Sequence, residues 1–162
     1  MLQFRVGFGF DVHQLKEGRE LWLGGVLIPH TVGALGHSDA DVILHAICDA
    51  ILGAANLGDI GKHFPDTSTE FKNIDSKILL ANTCSLMKQA GWSINNIDCT
   101  LCMEKPKILP FVPSMKIAIS KSAQILENQI SIKATTNEKL GFIGREEGVA
   151  AYAVVMLSAL TQ

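Results

Sequence analysis

The run Ser38-Asp39-Ala40-Asp41-Val42-Ile43-Leu44-His45-Ala46-Ile47-Cys48-Asp49-Ala50-Ile51-Leu52-Gly53-Ala54-Ala55 decides how the chain is read. Val42, Ile43, Ala46, Ile47, Ala50, Ile51, Ala54 and Ala55 recur at three- and four-residue spacing, the period of one helix face, and the pattern ends near Gly58. Ser38 or Asp39 stands where a cap would satisfy the first amides of that helix. On its N-terminal side, residues 3–13 read as a strand running into a polar loop, and residues 20–28 as a short hairpin pivoting near Gly24-Gly25. On its C-terminal side, residues 75–90 form a second helix stopped by Gly91, and residues 92–103 a strand. A loop punctuated by proline follows at 104–110, and Pro113 opens a helix running to about Glu127. Residues 130–136 are a strand, 137–148 a loop with one helical turn, and 149–157 a long apolar strand. Strands alternating with helices in this way predict an α/β sandwich with helices over one face of the sheet.

Composition narrows the possibilities. With 162 residues, no internal repeat and no linker, one domain over 1–162 is expected. Lys and Arg number 14 against 16 Asp and Glu, so the formal net charge is −2. That balance speaks against a nucleic-acid or anionic-membrane partner held by a broad positive field, although a local phosphate site remains compatible with it. The AVILMFWYC set makes up 48% and charged residues only 19%, an apolar excess that excludes disorder and points to a buried subunit interface. No uncharged apolar stretch is long enough to span a membrane, and the N-terminal residues lack the pattern of a signal peptide. Cys48, Cys84, Cys99 and Cys102 lie in apolar contexts and suit a reduced compartment. The expected location is the cytoplasm, and a mature organelle protein would look the same.

Several residue groups are suited to chemistry. Asp11 and His13 stand two apart on or just after a strand, so both side chains leave one face and can reach a single metal ion. Taken alone, the pair also suits polar residues at an exposed strand end. His37 sits beside a helix N-terminus, where free amides favour an anion such as phosphate. Asp41, His45 and Asp49 fall at i, i+4 and i+8. Beside so apolar a helix face, this stripe reads as the lining of an interior site, its carboxylates orienting a metal-bound imidazole. Asp11, His13 and His45 then make a carboxylate-and-two-imidazole set that suits zinc if strand and helix meet, with the fourth tetrahedral position open. Polarisation of a phosphoryl oxygen is a natural use of such a site. Cys99 and Cys102 form a C-x-x-C without a second pair, and residues three apart on a strand point to opposite faces, so they read as core thiols. Gly7-Phe8-Gly9 begins a dinucleotide fingerprint and never completes it. Asp59-Ile60-Gly61 and Phe64-Pro65-Asp66-Thr67-Ser68 flank Lys62 and His63 in a loop too apolar for a linker. Ala134-Thr135-Thr136-Asn137-Glu138-Lys139 ends a strand with groups that can hold phosphates, and a divalent cation through Glu138. Ordinary strand and surface composition would look much the same there.

Read jointly, these segments resemble the 2-C-methyl-D-erythritol 2,4-cyclodiphosphate synthases of the non-mevalonate isoprenoid pathway. The resemblance is carried by Gly9-Phe10-Asp11-Val12-His13, Gly24-Gly25-Val26 and His37-Ser38-Asp39-x-Asp41-Val42-x-Leu44-His45. It continues through Leu52-Gly53-Ala54-Ala55-x-Leu57-Gly58-Asp59-Ile60-Gly61, Phe64-Pro65-Asp66-Thr67 and Pro106-Lys107. Ala134-Thr135-Thr136-x-Glu138-Lys139-Leu140-Gly141-Phe142 and Gly144-Arg145-x-Glu147-Gly148 complete it. Asn137 stands where the family often has Thr, and Ser68 where it often has Asp.

The resemblance implies an α+β two-layer sandwich: a mixed four-stranded sheet with helices on one face and a short hairpin, assembled as a homotrimer around packed sheets with sites between subunits. It implies conversion of 4-diphosphocytidyl-2-C-methyl-D-erythritol 2-phosphate to the cyclic diphosphate and CMP, the chemistry of a phosphorus–oxygen lyase. By the same resemblance, Asp11, His13 and His45 hold Zn²⁺, and Glu138 holds a second divalent cation, Mg²⁺ or Mn²⁺, on the substrate phosphates. His37 and Thr136 steady the transition state, while Ser38 with residues 59–61 and 64–68 lines the erythritol side. Met103, Pro106, Lys107, Ile108 and Leu109, with Ala134 and Thr135, form the cytidine pocket; Phe142 and Arg145 flank the phosphates. The competing readings are a metal-dependent phosphohydrolase and a non-catalytic nucleotide-binding trimer. The apolar excess is expected in the subunit contacts, with residues 149–157 the leading candidate.

Overall fold

Strand-period alternation organises β1 (Phe4–Glu17): Gly7 and Gly9 are buried, Asp11 and His13 are partly buried, and Phe4, Val6, Phe8, Phe10 and Val12 on the other face are exposed. In this computed structural model, which describes residues 3–65 and 74–160, β1 belongs to a mixed five-stranded sheet. The chain continues through β2 (Leu21–Leu23), β3 (Val26–Ile28), β4 (Val32–Leu35), α1 (Val42–Ala55), α2 (Ile60–His63) and α3 (Ser76–Gln89). Then come β5 (Trp92–Cys102), α4 (Val112–Ala123), β6 (Ile130–Thr135), α5 (Gly141–Gly144) and β7 (Gly148–Ala159). The strand order is β4-β1-β7-β5-β6, antiparallel except for the parallel pair β5 and β6, whose crossover contains α4.

The expected four strands are therefore joined by a fifth. Gln14-Leu15-Lys16-Glu17 looks like a loop because of its polar residues, yet it extends β1 as the partner of β4, with Gln14 opposite Leu35 and Glu17 opposite Val32. Polar residues suit an edge pairing of this kind, because neither face there is fully covered. The hairpin appears as expected, with Leu21 paired to Ile28 and both turn glycines at positive φ. The later elements lie where the hydrophobic periods put them, except that α4 stops at Ala123, where Gln124 takes the left-handed conformation.

Helix α1 lies directly on the middle of the sheet, and the incomplete Gly7-Phe8-Gly9 motif explains how. A Cβ at Gly7 would stand 1.9 Å from the Ala50 carbonyl oxygen, and one at Gly9 1.9 Å from that of Ala46. These glycines are a packing groove for the helix backbone rather than a phosphate loop. Inward-facing Val149, Ala151, Ala153, Val155 and Leu157 of β7 complete the core beneath α1. The outward residues Tyr152 and Val154 join the exposed aromatic and aliphatic face of β1, and Tyr152 stacks 5.0 Å from Phe10. Residues 149–157 are thus half core and half outer face, and the larger share of exposed apolar side chains belongs to β1.

Start of α1 departs from expectation. The helix begins at Val42, and its cap is Asp41, not Ser38 or Asp39. Asp41 is fully buried, and its carboxylate accepts from the amides of Ile43 and Leu44 and from those of Gly24 (2.9 Å) and Gly25 (2.6 Å). One side chain thus caps a helix and clasps the hairpin turn to it. Asp41 is committed to the scaffold and does not line a site.

Candidate metal centre

Asp11 and His13 leave β1 toward α1, and His45 leaves the second turn of α1 toward β1. Close approach over Gly9 brings the three together. Asp11 Oδ2 lies 2.9 Å from His13 Nε2 and 3.0 Å from His45 Nδ1, and those two nitrogens are 3.3 Å apart. Among the described residues, this is the one cluster of three or more His, Cys, Asp or Glu side chains able to share an ion.

Each imidazole is held by its other nitrogen. His13 Nδ1 donates to the Leu35 carbonyl at 3.0 Å, which leaves Nε2 toward the centre. His45 Nε2 lies 2.9 Å from Ser76 Oγ and 3.1 Å from Ser38 Oγ, which leaves Nδ1 toward the centre. Ser76 Oγ in turn donates to Asp39, whose other oxygen accepts the Ser76 amide at 2.9 Å. Separations near 3 Å match the roughly 3.3 Å edge of a tetrahedron with bonds of about 2.0–2.1 Å, so this donor set fits one four-coordinate ion.

The electrostatics agree with that assignment. Burial pushes the Asp11 carboxyl up, but hydrogen bonds and charge from His13 and His45 outweigh it and hold the group at about 2. Burial pushes His45 down, yet its bond to Asp11 and the charges of Asp11, Asp41 and Asp39 leave it above the ordinary imidazole value. The metal-free centre therefore pairs an ionised Asp11 carboxylate with His45, whose proton a cation would displace on binding.

A cavity of about 490 Å³ opens from the cluster, lined by His13, Gly36, His37, Ser38, His45, Ile60, Gly61, Phe64, Ile74 and Leu79. His37, Ser38, Ile60, Gly61 and Phe64 thus share the wall of one cavity. Asp59 serves as the cap of α2, accepting from the Lys62 amide at 2.9 Å. Pro65 is exposed, and Asp66, Thr67 and Ser68 lie outside the described residues. The polar stripe is corrected here. Asp49 accepts from the Ile60 amide at 2.8 Å and so fastens the cavity wall to α1, while the carboxylate that reaches His45 from behind is Asp39, through Ser76.

A second cavity, of about 250 Å³, lies at the C-terminal ends of β5 and β6. Met103, Pro106, Lys107, Ile108, Leu109, Ala134, Thr135 and Thr136 line it, with Leu101 and Glu104. Glu104 has a job that nothing in its sequence context announces: its Oε1 accepts from the amides of Asn137 (2.8 Å) and Lys139 (3.3 Å). The turn it holds puts Glu138 and Lys139 at positive φ, with the Glu138 carboxylate exposed beside the Thr136 hydroxyl. Glu138 is not part of the Asp11, His13 and His45 cluster. Phe142 packs against the Gly148 backbone, and Arg145 forms a double hydrogen bond with Glu147 on the surface, so neither lines either cavity. Cys99 lies in the main core and Cys102 on the opposite face of β5 beside Ile143 and Ala150; all four thiols are free and buried.

Fold and site together define a class: an α/β protein with a carboxylate-and-two-imidazole centre at the junction of a central strand and helix, opening into a polar-rimmed cavity. The YgbB family model matches residues 4–158, and the chain belongs to that family. A protein of Bacteroides fragilis named 2-C-methyl-D-erythritol 2,4-cyclodiphosphate synthase is 60% identical over 157 residues, covering 97% of this chain and 99% of its own. The bifunctional IspDF of Campylobacter jejuni superposes with a TM-score of 0.95 at 44% identity, over 99% of this chain and 43% of its own. IspF of Plasmodium falciparum, in a CDP complex, gives 0.86 at 37% identity over 98% of this chain and 97% of its own.

Proposed function

We propose that this chain, as a single domain, converts 4-diphosphocytidyl-2-C-methyl-D-erythritol 2-phosphate to 2-C-methyl-D-erythritol 2,4-cyclodiphosphate and CMP. The observation that carries this reading is the Asp11, His13 and His45 cluster, with both outer nitrogens tied, in a chain 60% identical to a protein named for that synthesis. In the reaction, an oxygen of the 2-phosphate forms a bond to the β-phosphorus. The bond from that phosphorus to the bridging oxygen breaks, and CMP leaves with the electron pair. No water enters the balance.

Asp11, His13 and His45 would hold Zn²⁺, which suits two nitrogens and one oxygen with a fourth position open. Bound there, it supplies Lewis-acid polarisation and positive charge at a phosphate oxygen. The chain itself contributes position. His37, exposed on the cavity rim, is placed to donate to a phosphate oxygen, and Ser38 presents a hydroxyl on the same wall. Thr136 offers its hydroxyl at the mouth of the second cavity, and the neighbouring Glu138 carboxylate would take Mg²⁺ or Mn²⁺ with the diphosphate. Buried Met103 and Ile108 shape a small pocket suited to a pyrimidine base, and CDP in the Plasmodium falciparum structure supports a cytidyl ligand. Two cations account for binding of a triply phosphorylated substrate by a chain of net charge −2.

The working assembly in this reading is a homotrimer of two-layer sandwiches with sites between subunits. Phe4, Val6, Phe8, Phe10, Val12, Tyr152 and Val154 form an uncovered apolar sheet face, which supports association. The two cavities of one chain lie apart, one beside β1 and the other at the ends of β5 and β6 with β7 between, which supports completion of each site by a neighbour. In that assembly Phe142 and Arg145 would flank the phosphates. Four free buried thiols support a cytoplasmic setting, and no helix among the described residues is long and apolar enough to cross a membrane.

Incubating the chain with the cytidyl substrate, Zn²⁺ and Mg²⁺, and following phosphorus by ³¹P NMR, tests the proposal. Equimolar CMP and cyclic diphosphate are expected. Linear phosphates alone would make the protein a phosphohydrolase, and binding without turnover a nucleotide-binding module.

A further inference from the structure

Ser76 is fully buried at the first position of α3, where the proposed reaction has no use for a hydroxyl. It joins three elements: His45 Nε2 on α1 lies 2.9 Å from its Oγ, and the Asp39 carboxylate, from the loop before α1, receives both its O–H and its N–H. The direction of this chain of bonds is set at its far end. An ionised carboxylate only accepts, so Ser76 spends its one hydroxyl proton on Asp39. Only lone pairs then face His45, so Nε2 carries a ring proton, and Nδ1, turned toward Asp11 and His13, is the nitrogen that gives up its proton to a cation. Ser38 has no such power. Its Oγ accepts from the Ala40 amide, and its proton finds no described acceptor other than His45 Nε2, so alone it would be compatible with either tautomer.

We propose that Asp39 and Ser76 are positioning residues that lock His45 in its Nδ1-ligating tautomer and orientation, and so set the affinity of the centre for its metal. The inference rests on the reading of Asp11, His13 and His45 as metal ligands. Neither residue touches the ion or the substrate; both act through His45. Loss of such outer partners typically costs 10–100-fold in metal affinity.

Full-length variants decide the matter, with the Zn²⁺ dissociation constant measured by competition with a chromophoric chelator and the visible spectrum recorded after Co²⁺ substitution. Ser76→Ala is expected to weaken Zn²⁺ binding about 10–100-fold and to shift the cobalt bands, and Ser76→Thr, which keeps the hydroxyl, to restore most of the loss. Asp39→Asn should also weaken binding, because one amide oxygen cannot accept the Ser76 O–H, the Ser76 N–H and the Asp41 N–H together, so the seat of Ser76 behind His45 is lost. Asp39→Asn also keeps the volume of the parent, so it decides the question if Ser76→Ala fails to fold, with circular dichroism of the metal-free chain as the check. Parent-like zinc affinity and cobalt spectra in both Ser76→Ala and Asp39→Asn would overturn the proposal, whatever their turnover. An equal loss of affinity in Ser38→Ala would overturn the assignment to Ser76. A parent that binds zinc in this way but makes no cyclic diphosphate leaves the positioning role standing and removes the catalytic reading instead.

Discussion

The two cavities are built on opposite plans. At the metal centre, side chains do the recognising: three donor atoms converge within 3.3 Å, each imidazole is tied from behind, and α1 is pressed onto β1 with no Cβ between them. At the end of β5 and β6 the cavity is lined largely by apolar side chains, among them Leu101, Met103, Ile108 and Leu109. There the telling side chain is Glu104, which shapes a turn instead of meeting a ligand. A centre of converging donors fails sharply when one atom is lost, whereas an apolar cavity degrades through the residues that hold its shape.

Removal of a ligand should give the largest effect and the clearest contrast. His45→Ala is expected to abolish stoichiometric metal and to lower turnover by more than the roughly 100-fold ceiling of an outer-partner loss, checked by metal analysis and single-turnover assay. One zinc per subunit retained in that variant would break the comparison at its stronger side.

Moving the scaffold under the ligands should come next. Gly9→Ala places a methyl 1.9 Å from the Ala46 carbonyl oxygen, so α1 must lift from β1. The expected costs are about 1–3 kcal/mol in urea denaturation and weaker metal binding, since His45 rides on the displaced helix one residue before Ala46. Unchanged zinc affinity would show that the centre tolerates helix displacement and is less rigid than its contacts imply.

In the other cavity, Glu104→Ala frees the amides of Asn137 and Lys139. The KM for the cytidyl substrate is expected to rise about tenfold while zinc affinity stays at the parent value, as measured by steady-state kinetics and chelator competition. A matching loss of zinc would mean that the two halves are not separable.

The smallest effect concerns pH and belongs to the metal side alone. Asp11 is depressed from 3.8 to about 2 in the folded chain, so its contribution is present above 3.8 and is lost as pH falls through about 2. His45 is raised above 6.5, so its contribution is complete below 6.5 and is lost as pH rises through the higher folded value. The metal-free chain should therefore draw most from this cluster between pH 3.8 and 6.5. The extra stability conferred by Zn²⁺ should grow as pH rises above that window, because the metal needs the neutral imidazole. Melting curves of chelator-treated and zinc-loaded protein across pH 4–9, about the range of carboxylate and imidazole titration, measure the difference. A zinc increment that does not vary with pH would separate the metal from His45.

Much of the metal centre was legible because its signals are local. Asp11 and His13 share a strand face by alternation, and His45 sits beside a helix face whose period is plain from Val42 to Ala55. The glycine pair of the hairpin was legible for the same reason. Asp39, Ser76 and the Leu35 carbonyl were not legible as partners of the imidazoles. They stand 22 to 37 residues from the groups they hold, and a carbonyl has no side-chain identity to read. Asp41 and Asp49 show the opposite failure: their spacing with His45 suggested one stripe facing one site, but the chain uses them to cap a helix and to fasten a loop. Glu104 was unreadable because its partners are two backbone amides of a turn 33 to 35 residues away.

Most elements and the residue types that can bind a metal are readable from the chain alone, because hydrophobic period, turn chemistry and ligand chemistry act over a few residues. The fifth strand added by β4, the two glycines that let α1 touch the sheet, and the nitrogen each histidine turns toward the centre emerge only in the folded chain. Those outcomes depend on differences of about an ångström in how closely segments far apart in the chain approach one another. Packing sets such distances, and no local pattern encodes them.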